Sequence, residues 1–600
     1  MGTNKEDENI EVESSLLPKV PRIVVTNSKQ TAKQAAASNN NTVGILNVAV
    51  STQTDPYTPD VPEDVINSTI GDFGKWQFQL TLFLSLLNIP CTWHIFALTF
   101  QGASQDFWCT IPASLSTLTL DQWKNLSSIS GVPYNPCNIL DLDYSLPYST
   151  LLNIRRDVTA VRPCLQWTYD SSSFGHTIIS EWDLVCSNSS LESLAEMVFL
   201  LGVAFGGFFS GLVSDKFGRK KALMGSLVFQ LVLGVLVAIS PWFELYLVVR
   251  FFLGFFCVSI VFSGFVLCME LVGGKWLTIM GVMYLFPVPV GYIAISGIAY
   301  YSHNWRLLQW VITIPTIFFL TLWWIMPESP RWLVSMGRNK EAMKILGDAA
   351  KFNSRKLPLN LEKLLKESVL STNQDVGKKV QVMDLWRTPL IRLISFVQYI
   401  IWFSVYLVYY GLVLNLSNIG GDVYLNTIIS GIVEFPAIVI SIFILLKMGR
   451  RRPLCLTTLG AGLACLMTLG FAPGSFITIS LAMVGKFAIS SSNVIIPIYT
   501  AELFPTKMRN LGVGASSVPA GVALILIPYL WHMQSINIHF PMGLLGVVGV
   551  LGGLSVLLLP DTTGLADNLH QLENDVPIQT PLVSTPIKRR KLNLWRKPYA

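Results

Sequence analysis

Apolar stretches of roughly 20 residues, separated by short clusters of charge, recur along this chain and set its pattern. Twelve of them can be marked, at 76–100, 193–213, 221–240, 245–268, 277–300, 306–326, 390–413, 425–446, 453–472, 476–499, 509–530 and 541–560. A helix rises 1.5 Å per residue, so about 20 apolar residues cross the roughly 30 Å hydrocarbon core of a bilayer. The pattern predicts an all-α membrane protein with 12 transmembrane helices. An even number puts both termini on one side.

Between stretches 6 and 7 lies a polar loop, 327–389. Within it, NKEAMKILGDAAKFN and LNLEKLLKESVL alternate charged and apolar residues at helical spacing, which predicts short amphipathic helices at the membrane surface. The organisation expected is a disordered N-terminus over 1–72, a first six-helix bundle over 73–335 with an outer loop at 101–192, a loop over 336–389, a second bundle over 390–560 and a tail over 561–600. The tail's basic run, IKRRKLNLWRK, suits anionic lipid or a simple solvated stop signal.

Composition agrees with this reading. Of 600 residues, 51% are hydrophobic and only 13% charged, against about 25% charged in soluble domains. Mean hydropathy is +0.50. The acidic start, MGTNKEDENIEVESS, has no apolar core of a cleaved signal peptide. The net charge of +6 is modest, and its placement carries the information. Lys and Arg gather in the turn at 214–221, in 327–389, in Lys447–Arg452, and at Lys507 and Arg509, all on one side. The loop at 101–192 has few of them. The positive-inside rule therefore puts that loop outside and both termini in the cytoplasm, with the plasma membrane as the expected location.

Cysteines agree independently. Cys109, Cys137, Cys164 and Cys186 all fall in the outer loop, where an oxidising exterior allows two disulfides in any of three pairings. The other five lie in apolar stretches. The same loop holds glycosylation sequons at Asn125 and Asn188, with Asn125 better separated from the next membrane stretch. Asn67 lies on the cytoplasmic side in this topology, and Asn415 lies close to the membrane.

Five charges crowd the turn after the second stretch, GLVSDKFGRKKAL. A related turn, KMGRRRPL, follows the eighth stretch, as expected if six helices are duplicated as a parallel repeat. Gly211, Asp215, Lys216, Gly218, Arg219 and Lys220 resemble the signature turn of the major facilitator superfamily, and RFFLG, beginning at Arg250, partly resembles its fourth-span motif. Finer motifs (FGKWQ, SEWDLVCSN, PESPRWL, YYGLVLN, VEFPA, AELFPTKMRNLGVG, LPDTTG) resemble the solute carrier family of organic cation, anion and zwitterion transporters, in order over about 70–565.

The resemblance implies the major facilitator fold, two six-helix bundles that rock about a central site. It implies gating roles for Gly211, Asp215, Gly218, Arg219 and Arg250, and by repetition for Gly449, Arg450 and Arg451. Gly211 and Gly218 are expected to allow close approach and tight turning. Simple anchoring of the turn in water is the competing reading of its charges.

Ionisable side chains near mid-membrane are costly and rarely face lipid. Arg250, Glu434 and Lys486 qualify. Glu434 suits recognition of a cation and Lys486 recognition of a carboxylate. Alternatively, the two pair with each other or with Arg250 and only hold the bundle. Trp402, Tyr406 and Tyr409 share a helix face, and aromatic faces attract organic ammonium groups. His94 reads as structural. At Gly521, where the family typically carries an Asp in cation carriers and an Arg in anion or carnitine-type carriers, this chain has no charge.

These features point to a carrier of small organic cations or zwitterions (amines, β-alanine-, carcinine- or carnitine-like compounds) working by alternating access. An organic anion carrier is the nearest rival, and a non-transporting receptor or scaffold is the alternative of a different class. No P-loop, metal-ligand cluster or nucleophile motif marks the soluble segments, so neither an enzyme nor a cofactor is expected. The expected partners are a small organic ion, the lipid bilayer and a coupling Na⁺ or H⁺ left open, with no nucleic acid.

Overall fold

The computed structural model describes residues 65–561 except 130–131, 156–157, 173, 359, 366–381, 415–420 and 505–507. The N-terminal stretch to residue 64, Asn415, Lys507 and the basic tail lie outside the described residues, as does much of LNLEKLLKESVL.

Twelve helices among the described residues are long and apolar enough to cross a membrane. Spans 1–6 are Lys75–Gln101, Cys186–Phe217, Arg219–Ile239, Phe243–Leu271, Lys275–Tyr301 and Trp305–Ile325. Spans 7–12 are Pro389–Val413, Val423–Lys447, Arg451–Gly470, Phe476–Leu503, Leu511–Trp531 and Phe540–Leu558. Each coincides with a predicted stretch. The largest difference is at span 2, predicted over 193–213. Its helix continues through Asp215 and Lys216 and stops only at Gly218, because hydropathy reads where the hydrocarbon ends and not where the backbone stops coiling.

The face that carries the span 2–3 turn is called the turn face here, and the opposite one the loop face. Two short antiparallel ladders build the loop between spans 1 and 2: Phe107–Cys109 against Trp167–Tyr169, and Asn138–Leu140 against Val161–Pro163. Disulfides join Cys109 to Cys164 and Cys137 to Cys186, which resolves the three-way choice. The fully buried Trp123 donates from Nε1 to the Cys109 carbonyl at 2.8 Å and centres this small core. Asn125 and Asn188 are both exposed.

On the turn face, the helix Asn339–Phe352 lies where the amphipathic pattern put it and buries Ala342, Leu346, Ala349 and Ala350. Val65–Ile70 is also helical, so the expected N-terminal disorder does not extend to these residues. Val65, Ile66 and Ile70 pack with Leu333 and Leu346, an apolar contact that compensates for the chain entropy of ordering a short segment.

The bundles meet along spans 5 and 8 and along spans 2 and 11. Gly431 of span 8 packs on Pro289 and Ile293 of span 5, and Ser296 of span 5 donates to the Tyr424 carbonyl of span 8 at 2.9 Å. A Cβ on Gly521 of span 11 would stand 2.9 Å from the Cβ of Ala204 in span 2. That packing explains the missing charge at 521: in this arrangement the position has no room for one.

Candidate functional site: a buried ion pair between the bundles

Glu434 sits midway along span 8, two residues before Pro436. The proline has no N–H to give the Ile432 carbonyl, which loosens the helix locally. Lys486 lies near the middle of span 10. The structure brings the two together, with Nζ 3.1 Å from Oε2, and their side chains are only 2% and 7% exposed. Tyr409 of span 7 completes the group. Its hydroxyl donates to Glu434 Oε1 at 2.8 Å, and the Lys486 ammonium stands over its ring, 3.7 Å from the centroid.

The first bundle supplies the opposite wall. Tyr292 of span 5 places its hydroxyl 3.1 Å from that of Tyr409, and Phe96 of span 1 meets the Tyr292 ring edge-on at 4.4 Å. One carboxylate, one ammonium and two phenols thus meet at the boundary between the bundles, sealed from solvent. Charge is balanced within the group, which is the condition for keeping ions in so apolar a setting.

The other predicted site residues fall elsewhere. Tyr406 stacks on Trp402 at 5.4 Å, and the Trp402 indole donates to Thr500 Oγ1 at 2.9 Å. Trp402 lies seven residues, about 10 Å along the helix, from Tyr409. The two share a face, but only Tyr409 touches the ion pair. Ser492 spends its hydroxyl on Thr457 and Thr458 of span 9 and so serves helix contact. His94 is buried with Nδ1 3.5 Å from Gln309.

Arg250 does not join the pair. Its guanidinium lies over Phe199 at 4.7 Å and Tyr246 at 5.5 Å, and Nη1 donates to Gln101 Oε1 at 3.4 Å. It also stands apart from the turn-face charges: 20 residues of helix, about 30 Å, separate it from Glu270. The gating role expected of it by resemblance has no contact behind it here.

The signature turn is built as a latch within the first bundle. Arg219 binds Asp215 at 2.9 Å and Glu270, at the end of span 4, at 2.8 Å. Glu328 Oε1 accepts from the Lys220 N–H at 2.9 Å and so caps span 3, while the Trp332 indole donates to the Asp215 carbonyl at 2.8 Å. Gly218 turns with φ +101°, a conformation that disfavours any side chain. Gly211 plays no such part, since a Cβ there would meet open space; the close approach of spans 2 and 4 occurs at Gly202 and Gly206, against the backbone of Phe251 and Phe255. The second half repeats the device. After Gly449, which also has positive φ, Arg450 pairs with Glu502 at the end of span 10 at 2.9 Å, and Arg451 donates to the Leu557 carbonyl.

Sequence reasoning missed Tyr292, Glu270 and Glu502. A tyrosine inside an apolar stretch is unremarked by hydropathy. The two glutamates did leave a signal, because MEL (269–271) and AEL (501–503) end spans 4 and 10 alike.

Comparison with known proteins fixes the family. Residues 161–566 match the sugar (and other) transporter family. The chain belongs to that family. The relatives include proteins named organic cation transporter and members of solute carrier family 22. An organic cation transporter protein of Drosophila melanogaster is 38% identical over 513 residues, 83% of this chain and 92% of the relative. Human solute carrier family 22 member 2 is 31% identical over 541 residues, 86% and 96% respectively. Among solved structures, the proton:xylose symporter XylE superposes with a TM-score of 0.56 at 17% identity, covering 81% of this chain and 96% of its own. The inward-open form of the E. coli xylose transporter XylE gives 0.55 at 17% identity, with 83% and 99% covered. That likeness shows the fold, the two-bundle arrangement of major facilitator transporters. The chain is a multi-pass membrane transporter of the organic ion branch, and not an enzyme.

Proposed function

We propose that the chain carries small organic cations or zwitterions across the plasma membrane by alternating access, with the loop face outside and both termini in the cytoplasm. The observation that carries this reading is the Glu434–Lys486–Tyr409–Tyr292 group, an ion pair roofed by aromatic rings and buried where the bundles meet. Glu434 offers a carboxylate to a substrate ammonium, and the Tyr409 ring offers a π face already holding a cation, the chain's own lysine. A substrate ammonium would displace Lys486 from both, and the freed Lys486 would then suit a zwitterion's carboxylate. The names of the relatives support the cation class.

The test is radiolabelled uptake in cells expressing the chain, with tetraethylammonium, β-alanine, carnitine and p-aminohippurate supplied separately. Cation or zwitterion entry is expected, with no entry of p-aminohippurate. Entry of p-aminohippurate alone would replace this reading with the anion carrier.

The turn-face latches lie within each bundle, and rocking requires each bundle to move as one body with its turns held. Glu270→Gln leaves the Arg219 guanidinium, 11% exposed, short of its bidentate partner, at a cost of about 1–3 kcal/mol. Uptake should fall several-fold at normal surface level, Glu502→Gln should do the same, and Arg219→Glu with Glu270→Arg should recover part of the loss. Wild-type rates in both glutamine variants would remove the latches from the mechanism. Asn125 is the proposed glycan carrier: Asn125→Gln, and not Asn188→Gln, should abolish the mobility shift produced by a glycosidase.

A further inference from the structure

Tyr424, in the first turn of span 8, reaches out of the second bundle into an aromatic box built by the first. Its ring stacks on Phe100 at the end of span 1, with centroids 5.5 Å and planes 17° apart, and on Phe174 of the outer loop, at 5.8 Å and 28°. Tyr300 of span 5 meets it edge-on at 5.5 Å. One turn below Tyr300, the buried Ser296 hydroxyl donates to the Tyr424 carbonyl at 2.9 Å. Three separate elements of the first bundle thus close on one side chain of the second.

The outer loop is fastened to the first bundle, so the box is one body. The His176 N–H donates to the His303 carbonyl at 3.1 Å, the Trp305 N–H returns to the His176 carbonyl at 3.0 Å, and Arg306 pairs with Glu181 at 3.0 Å. When the bundles part at the loop face, Tyr424 leaves with span 8 while Phe100, Phe174 and Tyr300 stay together. What remains is a cluster of aromatic faces open to the outside.

We propose that this box, vacated by Tyr424, is an outer docking site for organic ammonium ions, occupied before they reach Glu434. The inference rests on the cation-carrier reading of the central site and adds a second site to it. Rings arranged around a space about the size of a phenol attract an ammonium through their negative faces and desolvate it, whereas they offer nothing to an anion. Tyr424 and the cation then compete for one space: the cation holds the loop face open, and its departure inward lets Tyr424 return.

Ser296→Cys makes a reporter, because Ser296 lies beneath Tyr424 and is reached from outside only when that ring withdraws. The five cysteines outside the disulfides are buried, so background labelling is low. In intact cells, a membrane-impermeant thiol reagent should label Ser296→Cys, and tetraethylammonium should slow the labelling. The slowing should persist when Glu434→Gln disables the central site. It should be lost when Phe100→Leu and Phe174→Leu are combined, which keep apolar bulk and remove two π faces. In the Ser296 parent, that pair should raise the external KM for tetraethylammonium roughly three- to tenfold. Protection that vanishes with Glu434→Gln alone and survives the leucine pair, or no protection in any background, would overturn the outer site. A wild type that moves no cation but still shows ring-dependent protection would overturn the carrier reading and leave the outer site standing.

Discussion

Glu434→Gln should abolish uptake of every substrate and lower the amount of protein at the cell surface. The substitution leaves the Lys486 ammonium, 2% exposed, without its counter-charge, and stranding one partner of a buried pair costs roughly 3–5 kcal/mol. Adding Lys486→Met removes the second charge, while the amide introduced at position 434 can still accept from the Tyr409 hydroxyl. The double variant should therefore return to the surface at near wild-type level and still move nothing. Surface biotinylation read beside uptake separates the two effects. Recovery of both in the double variant would reduce the pair to a helix clamp.

A second large effect is expected far from the site. Gly462→Leu should prevent accumulation of folded protein, because spans 9 and 12 touch backbone to backbone there. A Cβ at 462 would stand 2.5 Å from Val550 N and 2.7 Å from the Gly549 carbonyl carbon. Backbone atoms cannot rotate aside, and helices in lipid associate through such close packing rather than through a hydrophobic force. Forcing four carbons into the contact should cost about 3 kcal/mol or more. Gly460→Leu, two residues away with open space around its Cβ position, is the control and should behave as wild type. Detergent-solubilised yield and melting temperature would check both; equal yields for the two variants would contradict the packing.

The fold was legible because a bilayer imposes a length and a polarity on every span, and both are written in linear order. The site was legible in part, for a related reason. Glu434 and Lys486 stand out because ions in hydrocarbon are costly, so their presence calls for a partner, and each turned out to be the other's. Tyr409 stood out through its helix face. Tyr292 did not, because its role depends on which helix of the other bundle lies opposite, and no periodicity reports that. Gly521 shows the same limit: the lack of a charge could be read, but the Ala204 contact that accounts for it is tertiary. Arg250 is the converse case. Its motif is visible in the sequence, yet its side chain settles among Phe199, Tyr246 and Gln101, away from both the latch and the ion pair.

The most direct measurement is equilibrium binding of radiolabelled tetraethylammonium to purified wild type and to Lys486→Met. If Lys486 holds the place a substrate cation takes beside Glu434 and over Tyr409, removing it leaves that place unoccupied and an unpaired carboxylate facing it. Binding should then tighten about tenfold or more, equivalent to about 1.4 kcal/mol, while zwitterion binding weakens. Unchanged or weaker binding of tetraethylammonium by a folded Lys486→Met would contradict the assignment of this ion pair as the substrate site.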